Sequence, residues 1–387
     1  MINFDDTKVV FAHKSNWELR KSYYLFSILQ HSLFVKFGSL LLKISFFLRI
    51  PIKRLIKMTI FNQFCGGENI QDCSKKINEL YEFGIGTILD YSVEGKENEF
   101  DFEKTKEEII QTILFSSKNS KIPFTVFKIT GLGKSSLIKK ASLDFQSLND
   151  NELVELNLVA KRVDEICKVA SENRVPVFVD AEESWYQVYI DKVVETMIFK
   201  YNNEFSIVYN TIQLYRHDRL QYMKDLTSRV NLNGKQLGLK LVRGAYMEKE
   251  RDQSVKRNYP DPIQKDKRAT DNDFAKALEF CIDNIENVSL CAGTHNEKSV
   301  LHLTDLMKKK ALKNNDSRIW FAQLLGMSDH ISFNLSKEGY NVAKYVPYGP
   351  IKEVIPYLIR RAEENTSVSG QTGRELSLIK IEVGNRS

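Results

Sequence analysis

The sequence predicts an α/β fold, a (βα)8 TIM-type barrel preceded by a helical arm. Eight short apolar segments alternate with helix-length segments over about 280 residues, and eight βα units are the number that closes such a barrel. The apolar segments are nearly uninterrupted, as expected for parallel strands that are covered by helices. An open doubly wound sheet is the alternative, but the first predicted strand lacks the glycine-rich turn that such sheets usually carry.

The arm, residues 1–83, is predicted to be helical with a break at Pro51. Residues 62–70 are predicted to form a loop, and residues 71–83 have apolar side chains at helical spacing before Gly84. Residues 14–57 contain nine basic residues and one acidic residue, a net charge of +8 that leaves the rest of the chain at about −2. The longest uncharged run, residues 22–35, has 14 residues, fewer than the ~18–20 that span a bilayer.

Two interpretations of the arm are compatible with each other. Its helices pack on the main domain, or its basic and aromatic face contacts an anionic membrane surface. Nucleic-acid binding is not expected, because apolar residues separate the basic ones. The start, MINFDDTK, has no basic region, which argues against a signal or mitochondrial transit peptide. The predicted location is cytoplasmic, with peripheral contact to the inner face of the cell membrane.

The barrel domain is predicted to span residues 84–387, with a tail from about residue 370. Its predicted strands are residues 86–91, 124–130, 175–180, 206–213, 239–242, 289–293, 319–324 and 343–346. The active sites of such barrels lie at the rim formed by the carboxyl ends of the strands. Polar side chains stand at that end of all eight predicted strands, so we expect a functional site at this rim.

Several other kinds of site are not supported by the sequence. Residues 129–136, ITGLGKSS, resemble a phosphate-binding loop, but Lys128 stands where that pattern requires glycine. Five scattered cysteines without a CxxC pair predict reduced thiols rather than disulfides or structural zinc. The six histidines show no paired ligand spacing, so no metal is expected.

The last predicted helix lies within residues 344–365, after a strand and a corner rich in proline and glycine. Pro356 is expected either to open this helix or to kink it. Four side chains share roughly one face of it, namely Tyr357, Arg360, Arg361 and Glu364. Two adjacent guanidiniums suit a small carboxylate ligand, because each can donate two parallel hydrogen bonds. The alternative is a solvated helix face with an intrahelical salt bridge.

A series of motifs, taken in order, resembles the proline dehydrogenase family. These are LDYSVEG, FKITGLG, VFVDAEESWYQ, YNTIQLY, KLVRGAYMEKER, AGTHNEKS, FAQLLGMSD and YVPYGP with PYLIRRAEEN. The resemblance covers about residues 84–365 and indicates the monofunctional, FAD-dependent form. It implies a distorted barrel with FAD at the carboxyl-end rim. A second, aldehyde dehydrogenase module is not expected, because the chain is too short to hold one.

The activity implied by this resemblance is oxidation of L-proline to Δ1-pyrroline-5-carboxylate, the first step of proline catabolism. A hydride passes from proline C5 to flavin N5, and the electrons then pass to a membrane quinone. No residue is identified as a general base, and water is expected to suffice. Functional coupling to pyrroline-5-carboxylate dehydrogenase is also expected. Two alternatives stay open: oxidation of hydroxyproline or another cyclic imino acid, and a barrel without flavin that only binds proline or a partner.

The resemblance also assigns the substrate site. Arg360, Arg361 and Lys128 are expected to hold the substrate carboxylate. Asp180 is expected to restrain Lys128, and Glu364 to orient the arginine pair. The remaining expected substrate-binding residues are the gate residue Glu94, which would pair with Arg360, and the lining of an apolar pocket for the pyrrolidine ring: Ala245, Tyr246, Leu324, Tyr345 and Tyr357.

The substrate preference is expected to depend on Tyr345, because a bulky ring there leaves little room for a 4-hydroxyl group. Proline is therefore favoured over hydroxyproline. The residues that the resemblance nominates for FAD are Gln213, Lys240, Arg243, Gly244, Ala245, Thr294, His295 and Asn296. Some family members have arginine in place of Lys240 and tryptophan in place of Met247. The contacts to the flavin ring and to adenine are therefore expected to differ here.

Overall fold

The computed structural model describes residues 2–31, 38, 52–93, 95, 97–367 and 371–386, and for residues 364–367 and 371–372 the backbone alone. Its eight strands form a closed barrel in the order β1 to β8, which confirms the predicted fold. The strands are β1 (Ile85–Tyr91), β2 (Phe124–Phe127), β3 (Val177–Val179), β4 (Val208–Gln213), β5 (Leu237–Val242), β6 (Val288–Gly293), β7 (Ile319–Leu324) and β8 (Val342–Tyr348).

Three strands, β2, β3 and β4, are shorter than predicted, and the first two have a local reason. β2 ends at Phe127 because Ile129–Gly131 forms a 3-10 turn instead of continuing the strand. β3 begins only after Pro176, which has no N–H to donate to a neighbouring strand. The carbonyl of Pro176 still accepts a hydrogen bond of 3.0 Å from the Thr125 amide.

Helices follow the strands around the barrel, as predicted. Their bounds are Glu99–Ser117, Ser135–Leu143, Asp150–Glu172, Ser184–Tyr201, Arg219–Leu232, Met247–Arg257, Lys267–Asp283, Glu297–Lys309, Asp329–Lys337 and Ile351–Ser367. Several begin with a side chain that accepts a hydrogen bond from the first turn, as Asn149 does for the helix that follows it. Pro356 lies inside the last of these helices, so it does not open that helix.

The chain divides into two compact units. One consists of Met1–Glu94 with Ala322–Ser387, and the other is Gly95–Phe321. Within the first unit β1 pairs with β8, and within the second β2 to β6 pair in chain order. The predicted domain boundary after residue 83 stays a prediction.

The described part of the arm is helical, as predicted. Its helices are Thr7–Val10, Asn16–Leu29, Lys53–Ile56 and Ser74–Tyr81, and a π-helical segment, Lys57–Phe61, leads into Asn62–Phe64. The loop predicted for residues 62–70 is therefore wrong in its first three residues. The predicted break at Pro51 lies outside the described residues. No helix in the described ranges is both long enough and apolar enough to cross a membrane.

The arm packs on the carboxyl-terminal helix Gln371–Asn385. A buried cluster joins the two, made of Val10, Phe11, Leu19, Phe26, Leu376, Leu378 and Ile379. Burial of apolar area of this kind stabilises a contact by roughly 25 cal/mol per Å2. One face of the arm is therefore covered by the protein itself. The five cysteines are all buried free thiols.

Candidate active site

Asp180 and Lys240 form an ion pair within the second unit. Asp180 follows β3 directly, and Lys240 is a buried residue of β5. The Asp180 amide also donates a 2.9 Å hydrogen bond to the carbonyl of Phe127 at the end of β2. The structure thus fixes Asp180 by both its backbone and its side chain. Its predicted restraint of Lys128 stays a prediction.

Glu182, two residues after Asp180, is a buried carboxyl group at the predicted rim, to which the sequence assigned no specific role. It accepts hydrogen bonds from the amide of Thr130 at 3.1 Å and from the Thr130 hydroxyl at 2.5 Å. Gln213 donates a 2.7 Å bond to the Glu182 carbonyl. Burial raises the pKa of Glu182 to about 7, although the charge of Lys128 and the bonds from Thr130 act in the opposite direction. Glu182 therefore connects two predicted site residues, Lys128 and Gln213.

Arg243 joins the end of β5 to the turn after β6. Its guanidinium donates to Asp271 at 2.8 Å, to the Thr294 hydroxyl at 2.9 Å and to the Ser299 hydroxyl at 2.8 Å. The Thr294 hydroxyl also accepts a 3.2 Å bond from the amide of Asn296. Three residues predicted to bind the cofactor are thus brought together, beside the amino terminus of the helix Glu297–Lys309.

The turn after Arg243 has a backbone conformation that requires glycine. Gly244 has a φ of +131°, and a Cβ atom there would lie 2.5 Å from the ring of Tyr215. Ala245 and the Gly244 backbone are exposed, and Tyr246 leads into the helix Met247–Arg257. A close-approach turn with exposed backbone next to a cation fits a phosphate group. The Asn296 side chain accepts from the Ser299 amide and caps the next helix, and His295 lies just before it.

The arginine pair, Arg360 and Arg361, lies in the first unit on the helix Ile351–Ser367. Arg361 is 6% exposed and Tyr357 is 4% exposed. The guanidinium carbons of Arg361 and Arg360 lie 5.2 Å and 6.0 Å from the centre of the Tyr357 ring, within the range of a cation–π contact. The predicted shared face is confirmed for these three residues. Because Arg361 is buried, the alternative of a solvated face is wrong at that residue, and its intrahelical salt bridge stays untested because the Glu364 side chain lies outside the described residues.

Leu324 and Tyr345 belong to the same unit as the arginine pair. Leu324, at the end of β7, packs against a buried cluster that includes Tyr357 and Met327. Tyr345 is 8% exposed in β8, and its carbonyl accepts a 2.8 Å hydrogen bond from the Leu325 amide. The structure therefore brings Leu324 near Tyr357 and ties it to the strand that carries Tyr345.

Two predicted site residues lie outside what the structure describes. These are Glu94 and the side chain of Glu364, so the proposed gate and the orienting carboxylate stay predictions. Two buried ions of the first unit, Asp329 and Lys344, were not predicted at all. Asp329 follows the motif FAQLLGMS, and Lys344 lies directly before Tyr345. The one sequence signal for Lys344 was that it is a charged residue inside an otherwise apolar strand.

Comparison with known proteins agrees with the fold and with these motifs. The family model described as "Proline dehydrogenase" matches residues 73–374. A relative from Dictyostelium discoideum, "Proline dehydrogenase 1, mitochondrial", is 32% identical and aligns with 98% of this chain and 74% of its own length. The chain belongs to the proline dehydrogenase family. It is accordingly an oxidoreductase of the class that acts on proline, in proline catabolism.

Other relatives in the comparison differ in their descriptions. A "Hydroxyproline dehydrogenase" from Xenopus laevis is 31% identical and aligns with 97% of this chain and 89% of its own length. Among solved structures, proline utilization A from Bdellovibrio bacteriovorus, inactivated by N-propargylglycine, has a TM-score of 0.74 with 19% identity. That match covers 93% of this chain but only 38% of the longer protein. It supports the proline dehydrogenase barrel as the fold.

Proposed function

We propose that the protein is an FAD-dependent enzyme that oxidises L-proline to Δ1-pyrroline-5-carboxylate. The observation that carries this proposal is the arginine pair beside Tyr357 on the helix Ile351–Ser367, in which Arg361 is buried and Arg360 is half-buried. Two adjacent guanidiniums suit a small carboxylate, because each of them can donate two parallel hydrogen bonds to it. The adjacent apolar cluster with Leu324 suits the saturated ring of the same ligand.

The substrate site in this proposal contains the predicted residues in distinct roles. Arg360, Arg361 and Lys128 bind the carboxylate, and Leu324 and Tyr345 contact the ring. When the carboxylate at one end of proline is held, the ring carbon that reacts is held in one place. Positioning contributes to the rate mainly in this way. The protein would then act mainly through orientation and exclusion of water, with the amine proton passing to solvent.

FAD would be held by residues of the second unit. Arg243, the exposed turn at Gly244 and the Thr294 hydroxyl fit a pyrophosphate, and Lys240 with Gln213 would face the flavin ring. When bound, FAD supplies the acceptor for the hydride from proline C5. The ion pair of Lys240 with Asp180 keeps a cation in place where negative charge develops on the reduced ring.

A quinone is the proposed electron acceptor, and the arm is the proposed point of membrane contact. Trp17, Tyr24 and Ile28 are exposed on the helix Asn16–Leu29, at spacings that place them on one side. The Lys21 ammonium lies 5.4 Å from the Trp17 ring. An exposed aromatic face with adjacent cations matches the interface of an anionic bilayer. A cytoplasmic location with peripheral attachment is part of this proposal.

The membrane contact is tested by co-sedimentation with vesicles at low salt. Vesicles that contain phosphatidylserine should carry the protein down, and neutral phosphatidylcholine vesicles should carry less. Trp17→Ala should weaken the binding. Leu232→Ala removes an apolar side chain that is more exposed than Trp17 but lies outside the arm, and it should leave the binding unchanged. Absence of binding by the wild-type protein would reject the membrane contact.

Coupling to pyrroline-5-carboxylate dehydrogenase is proposed as a partnership with a separate chain. The support is that the structural neighbours include a bifunctional proline utilization A, of which this chain spans about a third. A reaction product that is a reactive cyclic imine gives a physical reason for direct consumption. Faster overall turnover with the two enzymes mixed than predicted from their separate rates would support the coupling.

The main proposal is tested by colour and substrate. Purified protein should be yellow and should bleach when proline is added without oxygen. A colourless protein that cannot be reconstituted with FAD would reject the proposal.

Hydroxyproline is the second candidate substrate, because a hydroxyproline dehydrogenase aligns with almost the whole chain. Parallel kinetics with both imino acids decide between them, and proline should have the higher kcat/KM.

A further inference from the structure

Lys344 is a cation with no exposed surface, placed in β8 directly before Tyr345. Its ammonium lies 2.6 Å from the Met327 carbonyl, 3.3 Å from the Leu324 carbonyl and 2.9 Å from a carboxylate oxygen of Asp329. An ammonium has three protons to donate, so each of them has an acceptor. The group therefore ties β8 to the turn of residues 324–329 at three points.

Asp329, at the start of the helix Asp329–Lys337, is ion-paired with cations on two sides. In addition to Lys344 it faces Lys14 of the arm, at 3.5 Å. Burial by itself would raise the pKa of Asp329, but the charges of Lys344 and Lys14 hold it below its usual range. We call Lys344, Asp329 and Lys14 the Asp329 cluster. It is one buried carboxylate between a cation of the barrel and a cation of the arm.

The arm segment that carries Lys14 is fixed by further contacts. The His13 ring stacks on Phe333 with 4.3 Å between ring centres. Arg386, at the end of the carboxyl-terminal helix, donates to the carbonyls of Lys14 at 2.7 Å and Phe11 at 2.8 Å. The position of Lys14 is thus determined by packing on both sides.

The Asp329 cluster connects directly to two residues of the proposed substrate pocket. Lys344 holds the carbonyl of Leu324 and precedes Tyr345 in the strand. Successive side chains of a strand point to opposite faces, so Tyr345 projects away from the side on which Lys344 meets the turn. The Leu325 amide bonds to the Tyr345 carbonyl. Movement of the turn would therefore move both pocket residues.

We propose that Lys344 and Asp329 are positioning residues for the substrate and that Lys14 couples this pair to the docking of the arm. The buried pair sets the place of Leu324 and Tyr345, and docking of the arm through Lys14 stabilises that arrangement. This inference rests on the proposed function for the identity of the pocket. It gives the amino-terminal segment a role in substrate binding that is independent of any membrane contact.

The test compares proline kinetics of Lys344→Met and Lys14→Met with the wild-type enzyme. Lys344→Met should raise the KM for proline about tenfold or more, and Lys14→Met about threefold, with smaller effects on kcat. Bound FAD, read from its absorbance, should stay unchanged in both. Lys8→Met removes an exposed cation from the same arm and should have wild-type kinetics.

A double-mutant cycle separates positioning from general loss of structure. If the two groups act as one unit, Asp329→Asn added to Lys344→Met should raise KM little further. Independent, additive effects, or an unchanged KM in a folded Lys344→Met enzyme with FAD, would overturn the proposal. If Lys344→Met does not fold, an unchanged KM for Lys14→Met overturns it. Failure of the wild-type protein to carry flavin and oxidise proline would instead refute the proposed function.

Discussion

Replacing Arg361 with methionine removes a buried cation while keeping an unbranched apolar stem. Arg361 is 6% exposed and its guanidinium carbon lies 5.2 Å from the centre of the Tyr357 ring, so water cannot readily take the place of the lost contact. Two charge-assisted hydrogen bonds to the proline carboxylate contribute at least about 3 kcal/mol. At about 1.4 kcal/mol for each factor of ten, kcat/KM for proline should fall by about 150-fold.

The assay is steady-state oxidation of proline with a dye as electron acceptor, together with the FAD content of each preparation. Most of the loss should appear as a higher KM, because the carboxylate contact is present in both the ground state and the transition state. Arg361→Lys keeps the charge but not the planar fork and should recover part of the loss. Lys352→Met, an exposed cation of the same helix, should behave as wild type. A folded, flavin-loaded Arg361→Met enzyme with an unchanged KM would refute the reasoning.

Three further changes have expected results of their own. Gly244→Ala should lower both the unfolding temperature and FAD binding, because its Cβ would lie 2.5 Å from the Tyr215 ring; a normal unfolding temperature with full FAD would contradict this. Tyr345→Ser should raise turnover of hydroxyproline relative to proline, and an unchanged ratio would argue against Tyr345 as the specificity residue. Burial, and after it the charge of Lys14, lower the pKa of His13 to about 3. Below about pH 6.5 the unfolded chain therefore binds a proton that the folded protein does not bind. The free energy of unfolding should fall by about 1.4 kcal/mol for each unit by which the pH is lowered in this range. Urea unfolding at pH 7 and pH 5 should show a smaller loss for His13→Gln than for wild type; equal losses would show that His13 is not the group responsible.

The barrel was predictable because its strands carry a strong local signal. Each predicted strand overlaps an observed one, and β7 coincides with its prediction at residues 319–324. The errors lie at strand ends, where one hydrogen bond decides the assignment. Pro176 delays β3 because it lacks an amide proton. The helical turn at Asn62–Phe64 was missed because loop composition there outweighed the apolar side chain of Phe64.

The candidate site was predictable to the extent that its residues stand at strand ends or at helical spacing. The contact of Tyr357 with Arg360 and Arg361 followed from their spacing alone. The pairing of Lys240 with Asp180 did not, because 60 residues separate them and no periodic pattern indicates which carboxylate meets which cation. The same holds for Lys344 and Asp329, whose roles depend on burial that only the fold creates.

Two residues without a predicted role, Glu182 and Lys344, lie close in sequence to predicted site residues but differ from them in their interactions. Asp180 and Glu182 are two residues apart, yet Asp180 is ion-paired with Lys240 while burial raises the pKa of Glu182 to about 7. Lys344 and Tyr345 are adjacent, but the Lys344 ammonium donates to three acceptors within the protein, whereas Tyr345 is assigned to the substrate pocket. A group whose hydrogen bonds are all satisfied internally cannot bind a ligand, but it can fix a neighbour that does. Changes at Glu182 and Lys344 should therefore alter substrate binding although neither is expected to touch the substrate.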